Sequence, residues 1–156
     1  MKISTIGFTK KSARQFFELL RESGVERIVD VRLNNGSQLS GFAKRDDLAW
    51  FARELCGIDY VHEPVLTPTK NLLSDYRQGR ISWDTYESRF IDLMRTRRIE
   101  SVLSKEVMNN GCLLCSENQP HHCHRRLVAE YLSDHWGEME VRHLGHGKDH
   151  VGTPEN

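Results

Sequence analysis

The chain reads as a single-domain α/β protein with a mainly parallel sheet and helices on both faces, and three observations predict this. Short apolar segments alternate with amphipathic helical ones along the chain, a pattern that requires crossover connections between parallel strands. The segment Gly111 to Ser116 is almost wholly apolar, as a strand covered on both faces must be. A length of 156 residues suits one domain with its own core.

Ile3 to Phe8 predicts the first strand. A helix follows, opened by the capping-box pair Ser12 and Gln15, faced by Ala13, Phe16, Phe17 and Leu20, and closed at Gly24. Arg27 to Arg32 (RIVDVR) predicts a short buried strand, and Leu33 to Phe42, rich in Asn, Gly and Ser, a long loop at its end. Asp46 or Asp47 is expected to cap a second helix with Leu48, Phe51, Ala52 and Leu55 inward and Gly57 at its close, before a strand from Ile58 to His62. Past Pro64 and Pro68, helices are expected over Thr69 to Gln78 and Ser82 to Val107. Gly111 to Ser116, a helix from Cys123 to Trp136 and a strand from Glu140 to Leu144 complete a domain spanning 1–144, and residues 145–156 read as a mobile polar tail.

Lysine plus arginine equal aspartate plus glutamate at 22 each, so any anion site must be local rather than a whole-molecule field. The run Arg95, Arg97, Arg98 reads as a solvated face, so nucleic acid is a rival partner that the pattern does not favour. No apolar run reaches bilayer-spanning length, and MKISTIGF lacks the layout of a signal peptide. A cytoplasmic protein with no membrane partner is therefore expected. Its cysteines, Cys56, Cys112, Cys115 and Cys123, are too scattered for a secreted framework and read as reduced thiols.

In parallel sheets ligands gather beyond the carboxyl ends of the strands, which directs attention to Phe8 to Lys11, Asp30 to Phe42, His62 to Lys70 and Cys115 to Arg125. Asp30, His62 and Cys115 should share one edge. The richest segment is LLCSENQPHHCHRR, where a strand ends at Cys115 and a helix starts near Cys123 with His124, Arg125 and Arg126 in its first turn. Free N–H groups at a helix start attract anions and favour a thiolate. An equally weighted reading has Glu117 pairing with an arginine while Cys115 and Cys123 are packed small residues. A metal site would draw on Cys115, Cys123, Glu117, His121, His122 and His124, but the spacing is not that of a structural zinc site.

Cys112 and Cys115 match C-x-x-C, yet positions three apart in a strand point to opposite faces, so Cys112 is expected in the core. Asp30 and Arg32 share a face and either reach into the crevice or pair with each other. His62 reads as a hydrogen-bonded structural residue more readily than as a base. Thr9, Lys10 and Lys11 stand where a phosphate could sit, but without the glycine spacing of a dinucleotide or Walker loop.

The segments TIGFTKKSA, RIVDVR with LNN and GFAK, GIDYVHEP and LLCSENQPHHCHRRLVAEYL resemble, nearly end to end, the family catalogued as domain of unknown function 488. Cys115, Glu117, Pro120, Cys123, His124 and Arg125 carry the most specific part of the likeness. The resemblance implies an α/β fold and the location of a site; it implies no reaction, and no cofactor can be named.

The leading expectation is a small cytoplasmic enzyme for an anionic or nucleotide-like substrate at the strand carboxyl edge. Arg32 and Arg125, with Asp30, Thr9 and Lys10, would bind the ligand; Cys115 would be the nucleophile and Glu117 or His124 the acid or base. The rivals are a noncatalytic anion or nucleic-acid binding module, and a metal-dependent enzyme using Cys115, Cys123 and nearby histidines.

Overall fold

A computed structural model describes residues 1–34, 41–116, 122–145 and 151–152. Five strands form where the alternation predicts them: β1 (Lys2–Gly7), β2 (Arg27–Asp30), β3 (Asp59–His62), β4 (Gly111–Cys115) and β5 (Glu140–His143). They lie in the order β3-β2-β4-β1-β5, every neighbouring pair parallel. A sixth strand, β6 (Val151–Gly152), pairs antiparallel with β5. It falls within the stretch expected to be a polar tail, most of which lies outside the described residues.

Helices α1 (Ala13–Ser23) and α2 (Arg45–Phe51) pack on one face of the sheet, while α3 (Lys70–Arg77), α4 (Trp83–Arg97), α5 (Ile99–Val102), α6 (Lys105–Met108) and α7 (His124–Trp136) pack on the other. The two-residue period of the strands divides the core accordingly. Ile28, Cys112 and Leu114 join Phe16, Phe17 and Leu20 of α1, whereas Val29, Leu113 and Cys115 join Phe90, Met94 and Leu127. Cys112 and Cys115 therefore do face opposite layers. Each large aliphatic or aromatic side chain so buried contributes about 1.5–3 kcal/mol.

Local signals explain α1 fully. The Ser12 hydroxyl accepts from the Gln15 N–H, the Gln15 side chain accepts from the Ser12 N–H, and Gly24 closes the helix at φ 79°. In α2 the expected cap is wrong. Lys44 occupies the N-cap without a side-chain bond, and Asp46 and Asp47 lie in the first turn, where their charge complements the helix dipole. Beyond Phe51 the backbone widens over Ala52–Cys56 into longer-range bonding, with the Gly57 N–H reaching Ala52 and Arg53. Leu55, expected inward, is consequently 48% exposed.

The single helix expected from Ser82 to Val107 is three. Arg98 adopts a left-handed conformation (φ 54°), and Ser104 caps α6 by accepting from the Val107 N–H. The reason is packing. At 100° per residue, Ile99 and Leu103 would lie about 140° and 180° round an unbroken helix from Met94. With the break, all three are buried in the same core layer. Nor is the basic run uniformly solvated. Arg95 pairs with Asp92 at the surface, but Arg97 donates to the Val65 and Thr67 carbonyls at 2.9 and 2.6 Å, tying α4 to the loop after β3.

Candidate functional site

Strand register assembles the site edge. Asp30 stands opposite His62 of β3 and Leu114 of β4, and Cys115, next along β4, stands opposite Gly7. Asp30, His62 and Cys115 thus share the carboxyl edge, because parallel strands end together.

At the end of β2 the alternation sets Asp30 and Arg32 on one side and Val31 on the other. The two charged residues pair. The Asp30 carboxylate accepts from Arg32 Nε and Nη2, both at 2.9 Å, and from the Arg32 backbone N–H at 3.0 Å, while Tyr60 Oη donates to it at 2.5 Å. Arg32 is only 3% exposed and sits over the Phe8 ring, with 5.5 Å from Cζ to the centroid. His62 Nε2 lies 3.0 Å from the Arg32 carbonyl, holding the next turn of chain. This fork-to-fork geometry fixes the guanidinium plane and leaves Nη1, which is buried and has no hydrogen-bond partner.

Across the edge, Cys115 ends β4 and Cys123 is the N-cap of α7. Cys56 and Cys112 are free thiols as expected, but Cys115 and Cys123 are joined by a disulfide across a separation of eight residues. The strand end and the helix start converge on one point, a closure that spacing alone does not reveal. Arg125, wholly buried, donates from Nε to Thr5 Oγ1 at 3.2 Å and from Nη1 to Cys115 Sγ at 3.5 Å. Thr5 Oγ1 in turn lies 2.6 Å from His143 Nδ1. Arg125 is therefore held from β1 and β5 and touches the site through Cys115.

His124 Nε2 lies 2.7 Å from the Val31 carbonyl. Burial, aided by the charge of Arg125, lowers its pKa to about 4, although the Val31 bond and Asp30 pull upward. A neutral imidazole tied to a backbone carbonyl braces α7 against β2. Thr9 is likewise a clasp, bonding the Ser116 carbonyl through both its N–H and its hydroxyl. Lys10 is exposed with a positive φ, and burial and Arg125 lower the Lys11 pKa to about 8.

These groups border a cleft of about 480 Å³. It is lined by Arg32, Leu33 and Asn34 beyond β2, and by Cys115, Ser116, Cys123 and His124 where β4 ends and α7 begins. Thr9, Lys10, Asp30 and Arg125 do not line it. α3 and α4 add Tyr76, Arg77, Trp83 and Tyr86 to its wall. His122 stacks on Trp83 at 5.0 Å between centroids, and Trp83 stacks on Tyr86 at 5.1 Å. Sequence reading missed this wall. Nothing local in the chain marks Arg77, Trp83 or Tyr86 as neighbours of Cys115.

Glu117 and His121 lie outside the described residues, as does part of the expected loop, residues 35–40. Among the described residues no three His, Cys, Asp or Glu side chains are grouped to hold a metal. No described helix is long and apolar enough to cross a membrane.

Fold and site together define a single-domain α/β protein whose parallel sheet carries an arginine- and cysteine-lined cleft at its carboxyl edge. A family model described as Domain of unknown function DUF488 matches residues 12–132, and the chain belongs to that family. No curated protein and no solved structure matches it.

Proposed function

We propose that this protein is a small enzyme that binds an anionic, nucleotide-like substrate in the cleft, with Arg32 gripping the anion and the reduced Cys115 as nucleophile. The observation that carries this reading is Arg32 Nη1, a buried charged donor that has no partner and belongs to a residue of the cleft wall. A buried unsatisfied donor costs about 1–3 kcal/mol, more when charged, and an incoming phosphate or carboxylate offsets that cost. The start of α7 at Cys123 adds N–H groups and positive potential on the same side.

Asp30 has a positioning role, since its carboxylate is engaged by Arg32 and Tyr60. His122 and Trp83, stacked and backed by the buried Tyr86, are suited to contact with a nucleobase or another planar ring. Arg125 beside Cys115 Sγ favours the thiolate once the cysteine is reduced. His124 serves better as a brace than as an acid or base, its Nε2 being committed to Val31.

Calorimetric titration of inorganic phosphate and of AMP tests the reading. AMP is expected to bind more tightly than phosphate; Arg32→Lys should weaken both at least tenfold, about 1.4 kcal/mol. Trp83→Ala should weaken AMP alone. Absence of binding by either ligand, or an Arg32→Lys protein with wild-type affinities, would overturn it. A protein that instead binds oligonucleotides with a steep salt dependence is the nucleic-acid module.

A further inference from the structure

We propose that Cys115 and Cys123 form a working dithiol–disulfide couple that exchanges with an anionic low-molecular-weight disulfide bound in the cleft. This deepens the preceding reading, because it uses the same Arg32 subsite. Three observations carry it. The two cysteines are joined in the structure, which brings the end of β4 and the start of α7 within reach of one bond. Both residues line the cleft while being only 2% and 4% exposed, so a small molecule seated in the cleft is what would meet their sulfurs. Unequal surroundings also assign the roles.

Arg125 Nη1 lies against Cys115 Sγ and is itself anchored through Thr5 to His143, so positive charge is fixed beside one sulfur. Cys123 is the residue at the start of α7, where a thiolate also meets favourable backbone N–H groups. Cys115 is accordingly the attacking thiolate and Cys123 the resolving one. Arg32 Nη1, buried and without a partner at the same cleft, supplies a site for a carboxylate or phosphate on the incoming molecule.

The Cys115 thiolate attacks one sulfur of a disulfide RS–SR, forming the mixed disulfide Cys115–S–S–R and releasing RS⁻, which takes up a proton. Cys123, as thiolate, then attacks the Cys115 sulfur, closing the Cys115–Cys123 disulfide and releasing the second RS⁻. Two electrons pass from the protein dithiol to the small disulfide, which leaves as two thiols. In the reverse direction two molecules of RSH reduce the protein. Cys112 takes no part: it lies in the opposite core layer, and burial pushes its thiol up to about 12.

The experiment uses full-length reduced protein, with glutathione disulfide as the anionic probe and bis(2-hydroxyethyl) disulfide as the uncharged one. Acid-quenched samples are read by peptide mass analysis. Glutathione disulfide is expected to close the Cys115–Cys123 bond at least tenfold faster than the uncharged probe, and Arg32→Met should abolish that preference. Cys123→Ser should trap a mixed disulfide at Cys115, and Cys115→Ser should react slowly at Cys123. Equal rates for the two probes, or no mixed disulfide on Cys115 in Cys123→Ser, would overturn the proposal. AMP titration of Cys115→Ser separates the two readings: AMP binding without exchange in wild type removes only the couple, whereas loss of both removes the anion cleft as well.

Discussion

Acidification should destabilise this protein through one identifiable side chain. His124 is buried, its Nε2 engages the Val31 carbonyl, and burial with the nearby Arg125 charge sets its pKa at about 4 in the folded chain against an ordinary 6.5. Because the folded value is the lower, the unfolded chain takes up the proton first as pH falls. The stability from a neutral His124 is therefore intact above about 6.5, declines below it and is gone near pH 4. A gap of this size at about 1.4 kcal/mol per unit corresponds to about 3 kcal/mol, a large share of a domain stability of about 5–15 kcal/mol. Urea unfolding at a series of pH values between 7 and 4 measures it, with His124→Gln as the reference. Gln can still donate to a carbonyl but does not titrate, and carboxylates that protonate in both proteins cancel. The wild-type advantage over His124→Gln should shrink by about 3 kcal/mol across this range. Parallel stability curves would refute the reasoning, showing that His124 is either protonated in the fold or hydrated.

Three further outcomes are expected. Asp30→Asn should cost about 3–5 kcal/mol in urea unfolding at neutral pH, because it leaves the buried Arg32 guanidinium without its carboxylate; a loss under about 1 kcal/mol would mean that the pair does not hold Arg32 in place. Gly111→Ala should cost about 1–3 kcal/mol, since a Cβ there would stand 2.9 Å from Val29 Cγ2 and 3.0 Å from the Met108 carbonyl, and an unchanged unfolding midpoint would show that β4 and α6 can separate. Alkylation of native protein at mildly alkaline pH should label Cys56 before Cys112, both thiols being raised by burial but only Cys56 being partly exposed; peptide mapping that finds equal labelling would contradict the central placement of β4.

The sequence by itself determined the parallel sheet, the capping box at Ser12, the opposed faces of Cys112 and Cys115, and the shared edge of Asp30, His62 and Cys115. Each follows from a period of two, a local hydrogen bond or the common direction of parallel strands, all of which are properties of short stretches of chain. The break at Arg98 was not read there: one helix was expected from Ser82 to Val107. Tertiary structure alone decided that Arg32 binds Asp30 through two nitrogens and leaves the third unpartnered, and that Arg97 holds the loop after β3. It alone brought Trp83 and Arg77 of the α3–α4 layer to the same cleft as Cys115, and joined Cys115 to Cys123. These contacts arise between elements far apart in the chain, where the packing of whole layers, rather than the preference of any residue, sets which side chains meet.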